Sequence, residues 1–256
     1  METAERVSMN EMADNYVFQR HLIAYQEAAK RISGSVIELG SGSGYGAEVL
    51  MNNNITEYLA LDKFPTHFAE NLDKTKLTFR QMNLPILAGI ADNSFDYAVS
   101  FQVIEHIEDD LTFLKEIYRV LKPGGQLILT TPNRYTSLTR NPWHIREYIP
   151  MEMQAILEKT FDTVDLQGVY GNEKIMAYYL KNKASVERIT RFDIFNLQHN
   201  LPRWMLQIPY DILNRLNRKR LHQGNSDLTK DIKASDFFIA PVKNDCLDYF
   251  AIAKKG

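Results

Sequence analysis

Apolar residues in this chain collect into short dense runs separated by stretches in which they recur at helical spacing. Val36-Ile37-Glu38-Leu39, Tyr58-Leu59-Ala60-Leu61 and Leu127 to Thr130 are runs of the kind that fill a strand covered on both faces. Leu77 to Met82, Tyr97 to Phe101, Thr163 to Val169 and Leu247 to Ala253 read as further strands. Leu22, Tyr25, Ala28, Ala29 and Ile32 share one helical face, which predicts an amphipathic helix over 16–32 ending at Ser33-Gly34. A second helix is expected over 47–52. A third, marked by Leu111, Leu114, Ile117, Tyr118 and Leu121, stops at Lys122-Pro123-Gly124-Gly125, and a fourth carries Met153, Ile156, Leu157 and Phe161.

The alternation breaks after residue 171. From Asn172 to Asp245 there are 74 residues before the last strand-like run, and structureless loops beyond ~15 residues are uncommon. Three helices are expected there, over 175–180, 186–197 and 204–221. The chain thus divides into a helical segment 1–34, a core 35–171, a helical cap insert 172–245 and a last core strand within 246–256. Residues 1–14 are polar and expected to be loosely held.

Composition narrows the class without naming an activity. At 256 residues and 45% hydrophobic, the chain can bury a large core. A formal charge of −2 gives no whole-chain signature for nucleic acid. The single cysteine, Cys246, supplies neither a disulfide framework nor a cysteine metal site, and no metal is expected. No run approaches a membrane span and the N-terminus lacks a signal-peptide core, so a cytoplasmic location is expected. One region departs from the average. Over 181–233 there are eleven Lys/Arg against five Asp/Glu, and Arg215-Leu216-Asn217-Arg218-Lys219-Arg220 follows Ile208, Ile212 and Leu213. Such a helix can lie on an anionic membrane, bind an acidic acceptor, or simply present a solvated face.

The chemistry concentrates at V-I-E-L-G-S-G-S-G-Y-G, residues 36–46. An apolar strand breaks into glycines and then into a helix, and the helix start offers free N–H groups to a polar ligand. The dinucleotide fingerprint G-x-G-x-x-G would need glycine at 45, where the chain has Tyr45; the G-K-[ST] of a phosphate loop is absent. What remains is an acid followed by G-x-G-x-G, from Glu38 to Gly44. Asp62 ends the second strand 22 residues beyond Gly40, where an acid can take both hydroxyls of a ribose.

That pattern resembles motif I of the class I S-adenosylmethionine-dependent methyltransferases. A carboxylate suits adenosylmethionine, which carries an ammonium and a sulfonium and no phosphate. S-F-D (94–96), F-Q-V-I-E-H (101–106), R-V-L-K-P-G-G (119–125) and T-P-N (131–133), in this order, resemble the ubiquinone-biosynthesis-type branch. The resemblance covers about 16–171. It implies an α/β fold with a doubly wound, mostly parallel, seven-stranded sheet whose last strand is antiparallel. Adenosylmethionine would sit over the carboxyl ends of strands one and two, against Glu38, Gly40, Ser41, Gly42, Gly44, Asp62 and Lys63. Asn83 stands where such enzymes place an acid against the adenine amino group, followed by Leu84; its amide carbonyl can still accept that bond. Gln102 is expected at the methionine end of the cofactor.

His106 is the candidate general base, because imidazole titrates near neutrality, and Glu105 is a candidate to orient it. The same residues also suit a capping or structural role. N-P-W-H-I-R-E-Y, 141–148, offers a substrate mouth: Trp143 a stacking face, His144 and Arg146 donors, Tyr148 beside them. The expected activity is methyl transfer to a small-molecule, glycan or lipid-linked acceptor, at oxygen, with the insert as a lid over the carboxyl ends of the strands. A nucleic-acid methyltransferase would carry N/D-P-P-Y/F after strand four, where this chain has Phe101-Gln102-Val103-Ile104. A cofactor-binding protein without transfer activity stays open, and oligomeric state is not legible.

Overall fold

The computed structural model describes residues 15–256 except 192, 194–196 and 225–230. Residues 1–14 and the side chains of Arg215, Arg218, Lys219 and Arg220, which carried the expected membrane contact, lie outside the described residues.

Helix α1 (Asn15–Ala29) precedes β1 (Gly34–Leu39), α2 (Tyr45–Leu50), β2 (Ile55–Asp62), β3 (Leu77–Gln81) and β4 (Phe95–Phe101). Helix α3 (Asp110–Val120), β5 (Leu121–Pro132), α4 (Pro150–Glu158) and β6 (Thr163–Gly171) complete the first part. Then come α5 (Glu173–Thr190), α6 (Leu197–Asn200), α7 (Arg203–Gly224), β7 (Phe237–Pro241) and β8 (Asp248–Lys254). The strands form one sheet in the order β3-β2-β1-β4-β5-β8-β6-β7. Strands β1 to β5 pair in parallel, and β8 runs antiparallel between β5 and β6. The order reverses at β1, where the crevice of a doubly wound sheet lies.

The sheet has eight strands, one more than expected. The extra one, β7, pairs antiparallel with β6 at the edge, and its alternation of buried Phe237 with exposed Phe238 suits a strand covered on one face. Residues 172–245 are therefore helices followed by an edge strand. Two of the predicted helices there are one: nothing in Lys181 to Ser185 breaks the helical run, and α5 continues to Thr190.

Alternation along the strands sends side chains to two apolar layers. Ile37, Leu39, Leu59 and Leu61 pack with Phe113, Leu114 and Ile117 of α3 and with Met153 and Leu157 of α4. Val36, Tyr58 and Ala60 face the other way, onto Tyr16, Ala24, Tyr25 and Ala28 of α1 and Ala47 and Leu50 of α2. Helix α3 starts on Asp109, whose carboxylate accepts from Thr112 N at 3.0 Å. Helix α1 thus forms a wall of the sheet, and its polar row Tyr16, Arg20 and His21 stands above the strand ends.

Candidate active site

Left-handed backbone shapes the loop after β1. Gly40 has φ 84° and Gly42 φ 54°. A Cβ on Gly40 would stand 2.4 Å from Val103 Cγ2, whereas one on Gly42 would meet nothing within 4 Å. The first glycine is required by packing. The second keeps backbone open to the cleft, as close approach of a ligand requires. Gly40 N and Ser41 N donate to the Leu61 carbonyl at 2.8 and 2.9 Å, tying the loop to the end of β2. Asp62 Oδ2 accepts from Gly42 N at 2.8 Å and Oδ1 from Phe64 N at 2.9 Å, so the carboxylate is held in one orientation.

These groups border a cleft of about 400 Å³. Of the residues expected to hold a cofactor, Gly40, Ser41, Gly42, Asp62, Lys63, Asn83, Leu84 and Gln102 line it, together with His106. Gln102 has φ 57°, an uncommon value for a residue other than glycine, and its amide lies 3.3 Å from Thr130 Oγ1.

Two expected members sit elsewhere. Glu38 is 1% exposed and accepts hydrogen bonds from Tyr25 at 2.9 Å and Tyr58 at 2.7 Å. Its neighbours Ile37 and Leu39 face the α3 layer, so alternation sends Glu38 into the α1 layer, beneath the cleft. Burial raises the Glu38 carboxyl above the ordinary range, against the pull of the tyrosine hydroxyls. It positions Tyr25, which does line the cleft. Gly44, at φ 88°, caps α2 and packs against Thr66 and Phe68.

A second cleft, about 290 Å³, opens beside the first and shares His21, Gln102 and His106 with it. It is polar: Arg20, Glu105, His144 and Glu147 line it, with Tyr178, Tyr179 and Asn182 from α5 and Tyr210, Asn214 and Asn217 from α7. His106 Nδ1 lies 3.1 Å from the Trp143 carbonyl. Donation to that carbonyl assigns the tautomer with Nδ1 protonated and the lone pair on Nε2. The His144 ring stands edge-on to His106, centroids 5.0 Å apart. Glu105 accepts from Thr131 Oγ1 at 2.9 Å, while its Oε1 is buried without a hydrogen-bond partner. Burial raises the Glu105 carboxyl, and the neighbouring histidines oppose the rise. Donor atoms of Glu105, His106 and His144 lie within 4.8 Å of one another. Arg20 Nε stands 3.0 Å from buried Asp248 Oδ2, joining α1 to β8 beside this cleft.

The expected substrate mouth divides. His144 lines the polar cleft, its Nδ1 2.6 Å from Glu147 Oε1. Trp143 lines the glycine-loop cleft instead, and its indole donates to Asp211 Oδ1 of α7 at 3.0 Å. Arg146 and Tyr148 line neither. Both engage Asp110 at the start of α3, Arg146 as an ion pair and the Tyr148 hydroxyl at 2.7 Å, because a buried carboxylate needs partners. The sequence reading missed His21, Tyr25 and Arg20. The spacing of Tyr16, Arg20 and His21 on one side of an amphipathic helix was the available signal.

A doubly wound sheet with a glycine loop over β1 and an acid ending β2 defines a nucleoside-binding α/β protein. A methyltransferase domain model matches residues 37–129. The chain is 37% identical over 263 residues to a "Probable S-adenosylmethionine-dependent methyltransferase" of Mycolicibacterium smegmatis, covering 98% of this chain and 93% of that one. It is also 28% identical over 138 residues to the mitochondrial ubiquinone biosynthesis O-methyltransferase of Bos taurus, covering 50% of this chain and 37% of that one. The crystal structure of a SAM-dependent methyltransferase from Thermotoga maritima superposes with a TM-score of 0.52 at 15% identity, over 94% of this chain and 92% of that one. The chain belongs to the S-adenosylmethionine-dependent methyltransferases, and its cofactor is S-adenosylmethionine. The cleft fits that cofactor. Beside the open backbone at Gly42 stand one carboxylate, two amides and a single lysine, a set suited to a phosphate-free nucleoside.

Proposed function

We propose that the protein transfers the methyl group to an oxygen of an acceptor held in the polar cleft, with His106 as general base. One observation carries this reading: the cofactor cleft and the polar cleft meet at His106 and Gln102, which line both. Asp62 would hold the ribose, Asn83 and Leu84 the adenine, and Gln102 the methionine end. When bound, adenosylmethionine supplies a methyl group already activated on a sulfonium. The acceptor hydroxyl gives its proton to His106 Nε2 while its oxygen forms the new bond to carbon, and the carbon–sulfur bond breaks. Holding both reactants in line can supply ~7–11 kcal/mol, and a placed base a further ~10²–10⁴-fold. Arg20, His21 and His144 suit an acceptor rich in hydroxyl or acidic groups, and helices α5 and α7 close over it as a lid. The Bos taurus relative is an O-methyltransferase by name, which supports oxygen as the target.

The test is incubation with methyl-labelled adenosylmethionine and fractionated metabolites, glycans and lipids, followed by isolation of the labelled product. Label in a methyl ether or ester is expected. Label in N-methyl groups, or in nucleic acid, would overturn the assignment. Formation of adenosylhomocysteine with none of these would point to another acceptor atom and remove His106 from the role of hydroxyl base.

A further inference from the structure

Helices α5 and α7 bound a third cavity, of about 480 Å³, a volume typical of small-molecule sites. Its walls are apolar. Leu197, Leu201, Met205, Leu206, Pro209 and Leu213 are among the residues that line it. It adjoins the polar cleft, since Thr139, Val186, Tyr210, Asn214 and Asn217 line both. The change of character is abrupt. At the shared wall Asn217 donates to Asn182 Oδ1 at 2.9 Å and accepts from Ser185 Oγ at 2.8 Å, and beyond it, among the described residues, Arg140 and Asp193 are the charged side chains that border the groove. The groove is also fixed to the active site. Trp143, whose carbonyl meets His106 Nδ1, donates its indole N–H to Asp211 of α7.

We propose that the methyl acceptor is an amphiphile, with its hydroxyl-bearing head in the polar cleft and a hydrocarbon chain in the groove along α7. The proposal rests on the methyl-transfer reading of the polar cleft and adds the chemical class of the acceptor. A polar head alone would need only the first cavity. A second cavity of greater volume, apolar and adjoining the first, takes up methylene groups, each contributing about 0.8 kcal/mol when removed from water. Leu197, Met205 and Leu213 are each about half exposed, so they present apolar area that such a chain would cover.

The experiment is calorimetric titration of the protein, saturated with adenosylhomocysteine, with 1-hexanol, 1-octanol and 1-decanol. Affinity is expected to rise by about fourfold per added methylene. Leu206→Asn combined with Leu213→Asn should lower decanol affinity at least tenfold and leave adenosylhomocysteine affinity unchanged, which also shows that the variant folds. Leu206→Met should retain decanol binding. Adenosylhomocysteine binding without alkanol binding, or alkanol affinity that ignores chain length or the double substitution, would overturn the proposal while leaving the methyltransferase reading intact. Absence of adenosylhomocysteine binding would instead overturn the active-site reading, and with it the claim that the chain belongs to an acceptor. Self-association of the wild type that the same double substitution abolishes would make the groove a contact between two copies and overturn the proposal.

Discussion

The glycine-loop cleft and the polar cleft adjoin, yet they are built on different principles. The first centres on the exits of β1 and β2: Gly40 and Gly42 turn the chain, Gly40 N and Ser41 N tie to the Leu61 carbonyl, and Asp62 is fixed by the N–H groups of Gly42 and Phe64. Most of its lining comes from the segments that follow successive strands, where short motifs mark the positions. The second is made of side chains from α1, the β4 exit, the 136–147 segment, α5 and α7. No single stretch encodes it. A cofactor common to many enzymes can be held by a short motif, whereas an acceptor is recognised by whatever side chains the fold brings together above it.

The sharpest way to break this division is at the seam. His106→Ala should lower turnover by ~10²–10⁴-fold, with adenosylhomocysteine affinity changed by less than twofold. A loss under threefold would assign catalysis to positioning alone.

The seam also shows what the sequence could and could not tell. The place of His106 beside the cleft was legible because F-Q-V-I-E-H stands at the exit of a strand that is itself plain from its apolar run. The places of the β1 loop, Asp62, Asn83, Leu84 and Gln102 along the same cleft were legible for the same reason. Glu38 was expected against the cofactor, and the structure buries it beneath the cleft. The motif indicates an acid, but only the alternation of β1 against two helical layers shows that it points at Tyr25 and Tyr58. Arg146 and Tyr148 misled because a donor-rich string looks alike whether it meets a substrate or the buried carboxylate of Asp110, 38 residues from Tyr148. Strand β7 was hidden at the tail of a segment dominated by helical spacing.

Within the cofactor half, Asp62→Ala should weaken adenosylhomocysteine by about tenfold to a hundredfold, since hydrogen bonds to a charged group are worth ~1.5–3 kcal/mol. Calorimetry showing unchanged affinity would remove Asp62 from the site.

Glu38 separates support from contact. Burial holds its folded-state carboxyl above its unfolded range. The native state then binds more protons than the unfolded chain as pH rises through that interval. Stability is fully present below the unfolded pKa and is lost as pH climbs through the folded one, at no more than about 1.4 kcal/mol per pH unit. Glu38→Gln should flatten this decline in denaturant titrations as pH rises above the ordinary carboxylate range. It should not abolish it, because burial raises Glu105 and Asp248 in the same direction. An unchanged slope would mean that Glu38 is not the buried proton-binding group described here.

The smallest effect is expected at Arg146. Arg146→Ala removes one partner of Asp110 but leaves the Tyr148 hydroxyl, so a stability loss of about 1 kcal/mol is expected, with kcat/KM unchanged. A selective rise in KM for acceptor would return Arg146 to the substrate mouth.

The most direct test of the division at His106 is single-turnover transfer from methyl-labelled adenosylmethionine at saturating cofactor, comparing wild type, Asp62→Ala and His106→Ala. Asp62→Ala is expected to regain the wild-type rate once cofactor saturates, because only binding was lost. His106→Ala should stay slow at every cofactor concentration. Rescue of His106→Ala by cofactor, or failure of Asp62→Ala to recover, would contradict the separation of a cofactor half from an acceptor half.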